Sequence, residues 1–309
     1  MALTLCTTTY HLPPITCILS HMHSLTDVEV QALTLRAEDI RESIIKMLVE
    51  AGSGHTAGSL GMTDVFTALY FRIMKHNPRH PEWVERDRLI LSNGHIAPVL
   101  YATMAHAGYF SISELKTLRR FGSRLQGHPH RGTLPGIETS SGPLGSGLSQ
   151  AIGMALMDRL EEHKPDRYFY CCMGDGEINE GQVWESFLLL NKYKLHKVIP
   201  IIDRNTIQID GYTEDILPLE SLKAKMESFN FHVIEVNGHD FKDIVRAIGM
   251  AKSSLDAPTV IIAHTIPGKG VTAFEGDYRW HGKAPNVEEG RAALKELRTL
   301  KGKIKYGEQ

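Results

Sequence analysis

The residues with the clearest chemical potential lie in one stretch, YCCMGDGEINEGQVWESFLLLNKYKLHKVIPIIDRNTIQIDG, residues 170–211. It reads as strand, glycine loop, helix, strand and polar loop. A parallel crossover of this kind is right-handed and brings both loops to the C-terminal edge of neighbouring strands. Asp175 and Asn205, 30 positions apart, thereby become neighbours. Gly174 and Gly176 allow a ligand to approach the backbone, and a helix starting near Asn179 offers free N–H groups to phosphate oxygens. A diphosphate beside Asp175 requires a bridging divalent cation. Magnesium takes one or two carboxylates with phosphate and water oxygens in an octahedron. Asp175, the Asn205 side-chain oxygen, one backbone carbonyl, two phosphate oxygens and a water complete six positions. A lone GDG is more often a plain turn, and it is the DRN string ending the next strand that raises its weight. No GxxxxGK[ST] loop is present to cradle phosphate instead, and GSGLSQAIG lacks the preceding strand that a dinucleotide fingerprint needs.

The elements that must position these residues follow from hydrophobic periodicity. Residues 28–51 and 62–74 read as helices. Strands are expected at 88–92, 167–173, 197–203, 231–236 and 258–264. Helices between them are expected at 96–107, 113–120, 146–162, 181–192, 219–228 and 241–253. Strands separated by helices of this length form a doubly wound, mostly parallel α/β sheet with helices on both faces. Three parts result: an extension at 1–24 expected to be poorly ordered, a main domain at 25–285, and a charged helical tail at 286–309 read as a solvated surface. The extension has no Lys or Arg and is interrupted by Pro13-Pro14, so it fits neither a secretory signal nor a transit peptide; a start at Met22 is the second reading.

Composition narrows the partners. The chain has 309 residues, with 34 Lys and Arg against 36 Asp and Glu. A balance this close to neutral gives no general field for nucleic acid or an anionic membrane. No apolar run approaches the roughly 18 residues of a spanning helix. The cysteines, Cys6, Cys17, Cys171 and Cys172, form no CxxC pair, and the adjacent two point to opposite faces of a strand. A reducing cytoplasm is the expected compartment.

Together these strings resemble the thiamine-diphosphate-dependent transketolase family. GDG followed by an Asn about 28 residues later resembles the thiamine diphosphate signature, with Arg204 in place of the usual second Asn, a departure tolerated within the transketolase branch. Four further strings resemble transketolases specifically: SGHTAGSLG at 53–61, LSNGHIAPVLY at 91–101, GHPHRGTLPGIETSSGPLGSGLSQAIGMA at 127–155 and WHG at 280–282. The resemblance implies the thiamine diphosphate-binding fold. It implies a cation, Mg2+ (or Ca2+ or Mn2+), held by Asp175, Asn205 and the Ile207 carbonyl. Gly142, Pro143 and Leu144 would lie against the aminopyrimidine, and Gly174 and Gly176 along the diphosphate. His55, His95, His128 and His281 would surround the cofactor and sugar, with His55 and His281 aiding removal of a donor hydroxyl proton and His128 holding another hydroxyl. Glu180 and Glu185 would sit where paired modules meet. With 16 histidines in the chain, a single one is more often a surface or loop residue than a catalyst. These four each sit beside or near glycine in a loop, and no close pair among them has the spacing of a structural zinc site. His130 is read as a bystander.

A fused transketolase is about twice as long and carries a second, pyrimidine-binding domain with the activating glutamate. The resemblance therefore implies one subunit of a split enzyme that transfers a two-carbon ketol unit between sugar phosphates. Its partner would be a C-terminal transketolase subunit, with two copies of each chain. The alternatives weighed are the alpha subunit of a 2-oxo acid dehydrogenase, a deoxyxylulose phosphate synthase-like enzyme, and a non-catalytic regulatory subunit retaining the fold. Asp175→Ala is expected to abolish cofactor binding and leave folding largely intact.

Overall fold

The computed structural model describes residues 24–161 and 165–306. The N-terminal extension, with Cys6 and Cys17, falls outside the described residues apart from Ser24. Helix α1 (Asp27–Ala51) opens on a capping box: the Thr26 hydroxyl accepts from the Glu29 N–H while the Glu29 carboxylate accepts from the Thr26 N–H. It closes on Gly52 in the left-handed region (φ 63°). Its Leu33, Ile40, Ile44, Ile45 and Leu48 are buried, as helical spacing requires.

The single helix expected over 62–74 is divided. Short α2 (Ala57–Gly61) and α3 (Thr63–Ala68) are followed by a wider turn at Leu69–Ile73, closed by the Met74 N–H donating to Leu69 O. The wider turn leaves the Tyr70 carbonyl in contact with His76 Nε2 at 2.6 Å. Strand β1 (Arg88–Leu91) then leads into α4 (Ala97–His106). The helix expected at 113–120 is only a 3-10 segment, Ile112–Thr117, within a long loop. Beyond it come α5 (Ser146–Leu160), β2 (Phe169–Gly174), α6 (Gly181–Lys192) and β3 (Val198–Arg204).

A small antiparallel hairpin, β4 (Ile207–Gln208) and β5 (Gly211–Tyr212), leaves β3 and runs into α7 (Thr213–Ile216) and α8 (Leu222–Ser228). The chain finishes with β6 (His232–Asn237), α9 (Phe241–Ser253), β7 (Thr259–His264) and α10 (Val287–Tyr306). The main sheet has the order β1-β2-β3-β7-β6, and every neighbouring pair is parallel.

Helices cover both faces, and each face carries its own apolar cluster. Cys172 belongs to one and Cys171 to the other, as alternation along β2 dictates. The charged closing segment is a packed helix rather than a purely solvated surface. Ala293 and Leu297, four residues apart, are buried in the first cluster. Gly290 makes the approach possible, because a Cβ there would meet Val49 Cγ2 at 2.3 Å.

Candidate active site at the sheet edge

Residues Gly174 and Asp203 are register partners at the C-terminal ends of β2 and β3. The Asp175 N–H donates to Asp203 O at 3.1 Å, so the two loops leave the sheet side by side. Both chain neighbours of Asn205 bond the Asp175 carboxylate: the Thr206 N–H donates to Oδ2 at 2.7 Å and Arg204 Nη1 at 2.8 Å. Oδ1 accepts from the Gly176 N–H at 2.8 Å. Thr206 achieves this with φ at 65°, a conformation that is costly for a β-branched residue. The Asn205 amide is itself fixed, accepting from the Ile207 N–H at 3.0 Å and donating to Asp203 Oδ2 at 2.7 Å.

These residues fit a divalent cation. A carboxylate offers about four lone pairs, and three on Asp175 are occupied, leaving one on Oδ1. The Asn205 oxygen retains one as well. Among the described residues no three His, Cys, Asp or Glu side chains gather as a ligand set. A cation here must therefore draw its remaining oxygens from the backbone, water and phosphate. Burial pushes the Asp175 carboxyl above its ordinary range, against the pull of Arg204 and the two backbone donors.

Two expectations change at this point. The segment after the loop is a 3-10 turn, Gly176–Asn179, whose Gly176 and Ile178 N–H groups already donate to Asp175, and the α-helix starts only at Gly181. Arg204 is a working part of the loop, since its guanidinium is buried against Asp175. Asp175→Ala is therefore expected to cost stability as well as cofactor binding.

Three of the four histidines converge. The His55 and His95 ring centroids lie 5.0 Å apart, His95 and His281 5.0 Å, and His55 and His281 5.8 Å. The loops bearing His55 and His281 are tied by Thr56 Oγ1 donating to Lys283 O at 2.5 Å and the Gly268 N–H donating to Ala57 O at 2.9 Å. His128 reaches the group through Gly94. A Cβ on Gly94 would lie 2.3 Å from Ser141 Cβ and 3.3 Å from His128 Cδ2, so only glycine lets these loops close.

Burial, with repulsion from His281, Arg119 and His128, pushes the His55 pKa down to about 4. His95 is pushed well down by burial and by its histidine neighbours. His281 is lowered by burial, and His128 by partial burial and Arg119. All four are held neutral near pH 7, able both to accept and to donate. His130 is exposed.

Gly142 lies beside Gly94, where an added Cβ would come within 3.2 Å of the Gly142 N. Gly142 has φ at 148°, and the Leu144 carbonyl accepts from Gln182 Nε2 at 2.7 Å. Glu180 and Glu185 are exposed on this chain, at the start of α6.

Glu177 belongs to the site although no motif pointed to it. This buried carboxylate accepts from the Ser92 hydroxyl, from the Gly145 N–H at 2.6 Å and from the Gly174 N–H at 3.0 Å. It thereby ties together the three loops that carry His95, Gly142 and Asp175. An acid immediately after GDG was the available signal. Asn93, inside the LSNGHIAPVLY string, joins it: it is 1% exposed, and both its amide atoms lack partners, as do His55 Nδ1 and Gln208 Nε2. Buried polar atoms are nearly always bonded. A cluster of unbonded ones around Gly174 and Gly176, where Asn93 and Gln208 flank the glycines, marks a polar ligand's seat.

Residues 34–303 match the family model described as "Transketolase, thiamine diphosphate binding domain". The chain belongs to the transketolase family. It is 39% identical over 270 residues to one of the subunits of the apulose-4-phosphate transketolase of Phocaeicola vulgatus, covering 87% of this chain and 95% of that one. It is 42% identical to the SqwG subunit of the 6-deoxy-6-sulfo-D-fructose transketolase of a Clostridium species, covering 85% and 94%. Human transketolase is 36% identical, with 84% of this chain covered but only 41% of the human protein. The crystal structure of Pichia stipitis transketolase with sedoheptulose-7-phosphate superposes with a TM-score of 0.81 at 32% identity, covering 88% of this chain and 41% of that one. The family's doubly wound thiamine diphosphate-binding fold is the fold described above. The chain corresponds to the N-terminal part of a fused transketolase and to nearly the whole of a separate transketolase subunit. Among the described residues no helix is long and apolar enough to cross a membrane.

Proposed function

We propose that this chain is the diphosphate-holding subunit of a two-polypeptide transketolase, moving a two-carbon ketol unit from a ketose to an aldose. The observation that carries this is the Asp175 carboxylate gripped from both sides of Asn205, beside a cluster of neutral histidines. Asp175, Asn205 and the Ile207 carbonyl hold Mg2+, and Ca2+ or Mn2+ can substitute. Gly174 and Gly176 give the diphosphate its approach, and Gly142, Pro143 and Leu144 face the aminopyrimidine. When bound, thiamine diphosphate supplies an acidic carbon and an electron sink for breaking a carbon–carbon bond.

The remaining work falls to this chain's own groups. His55 and His281, neutral near pH 7, accept the proton from a donor hydroxyl and return it later. The Thr56–Lys283 bond keeps their two loops in register. His128 would position a second hydroxyl, and His95, its ring 5.0 Å from those of His55 and His281, would contact the cofactor.

The partner is a pyrimidine-domain subunit, with two copies of each chain. Support comes from the 95% coverage of a relative that is one of two or more chains, set against 41% of the fused human enzyme. On the surface of α6, exposed Glu185 lies one helical turn before exposed Leu188 and Leu189, with exposed Glu180 at the helix start, a face suited to such a contact. The substrates are ketoses and aldoses carrying phosphate or a comparable anion, within carbohydrate metabolism of the pentose phosphate kind. A cytoplasmic location accords with Cys171 and Cys172 being free thiols.

The test mixes the purified chain with thiamine diphosphate, magnesium, a ketose donor and an aldose acceptor, with and without the partner subunit. Ketol transfer is expected only in the mixture. Full activity of the chain alone would refute the two-subunit reading.

A further inference from the structure

Arg204 is the last residue of β3 and immediately precedes Asn205. Its guanidinium is 4% exposed, and all five of its N–H groups are spent. Nη1 donates to Asp175 Oδ2 at 2.8 Å and to Thr213 Oγ1 at 2.7 Å. Nη2 donates to Glu214 Oε1 and to Glu220 Oε1, both at 2.8 Å, and Nε donates to Glu220 Oε1 at 3.1 Å. The outer carboxylates are braced in turn. Glu214 accepts from the Leu219 and Glu220 N–H groups, and Glu220 Oε2 accepts from the Leu222 N–H. An asparagine could not span from Asp175 to this acidic segment.

We infer that Arg204 is a positioning residue that locks the Asp175 carboxylate in one orientation, and that it does so to favour magnesium over calcium. The inference rests on the cation site proposed above. Its physical basis is the different tolerance of the two ions. Magnesium demands a near-ideal octahedron of short bonds, whereas calcium accepts six to eight oxygens in looser arrangements. A carboxylate fixed through three occupied lone pairs presents its fourth in one direction only. Release of the Arg204 bond frees Asp175 to turn, which harms the ion with strict geometry more than the ion without it. A partner that orients a metal ligand affects metal affinity by about 10- to 100-fold.

The experiment measures, by calorimetry of thiamine diphosphate binding to the mixed subunits, the apparent affinity for Mg2+ and separately for Ca2+ across a cation titration. For Arg204→Gln the expected loss is about 10-fold or more with magnesium and about 3-fold or less with calcium. Arg204→Lys, which keeps the charge but not the fork, falls between. Equal losses with both ions would indicate general loosening and overturn the inference. So would unchanged or tighter binding, which would make Arg204 a mere placeholder competing with the metal.

Should Arg204→Gln fail to fold, Glu220→Gln decides. Its side chain is 54% exposed and lies outside the cation site, and it should narrow the magnesium preference by about 2- to 3-fold, a share of the same positioning effect. No narrowing overturns the inference. If the wild-type mixture binds no thiamine diphosphate with any cation, the cofactor reading itself fails, and this inference with it.

Discussion

Replacing Asp175 by alanine tests whether the cofactor loop is also a structural joint. The side chain is 1% exposed and accepts three hydrogen bonds, from the Gly176 N–H, the Thr206 N–H and Arg204. Removing one partner of a buried ion pair costs about 3–5 kcal/mol. Glu214 and Glu220 remain on the guanidinium, which places the cost at the lower end, about 3 kcal/mol. For a domain of this size each kcal/mol lowers Tm by about 2–4 °C, so a fall of about 6–12 °C is expected. Asp175→Asn keeps an acceptor oxygen but loses the charge, and should cost about 1–2 kcal/mol. The assay is unfolding by circular dichroism on the chain alone, without cofactor or cation, so that ligand binding contributes nothing. An alanine variant within about 1 kcal/mol of wild type would refute the claim that Asp175 and Arg204 stabilise each other.

Glu177→Ala strands three buried donors and should cost about 4 kcal/mol, and Glu177→Gln, which turns an amide against one of them, about 2 kcal/mol. Both are read by chemical denaturation, and near-neutral values would show that the three loops do not depend on this carboxylate. For His55 the sign follows from a folded pKa of about 4 against an ordinary 6.5. The unfolded chain binds more protons between these values, so stability is lost as pH falls from about 6.5 to about 4. With its partial exposure discounted, His55→Gln should remove about 2 kcal/mol of that acid sensitivity. Parallel denaturation midpoints for wild type and variant at pH 7 and pH 4.5 would contradict this. Leu297→Ala on α10 should destabilise by about 3 kcal/mol. A loss below about 0.5 kcal/mol would return that segment to the solvated tail its charges suggest.

The five main strands were readable because each is a short apolar run between helical periods, and a buried parallel strand needs no more than that. The helices read least well are those whose ends are set by contacts from elsewhere. The break near Met62 and the wide turn at Leu69–Ile73 answer to packing that no local pattern encodes. The charges of α10 disguised a narrow apolar stripe, because Ala293 and Leu297 are few among many Lys and Glu.

Residue order was enough to bring Asp175 and Asn205 to one sheet edge, since a right-handed crossover between adjacent parallel strands leaves their loops nowhere else to go. It also supplied the four histidines and the motif order that mark the family. Folding in three dimensions was needed to learn that Arg204 spends every donor on Asp175 and the 213–220 segment, and that Glu177 joins three loops. The same holds for Asn93, which keeps a buried amide without partners. Those facts depend on which groups from distant segments meet in space with water excluded, and hydrogen-bond satisfaction is a property of that meeting rather than of position along the chain.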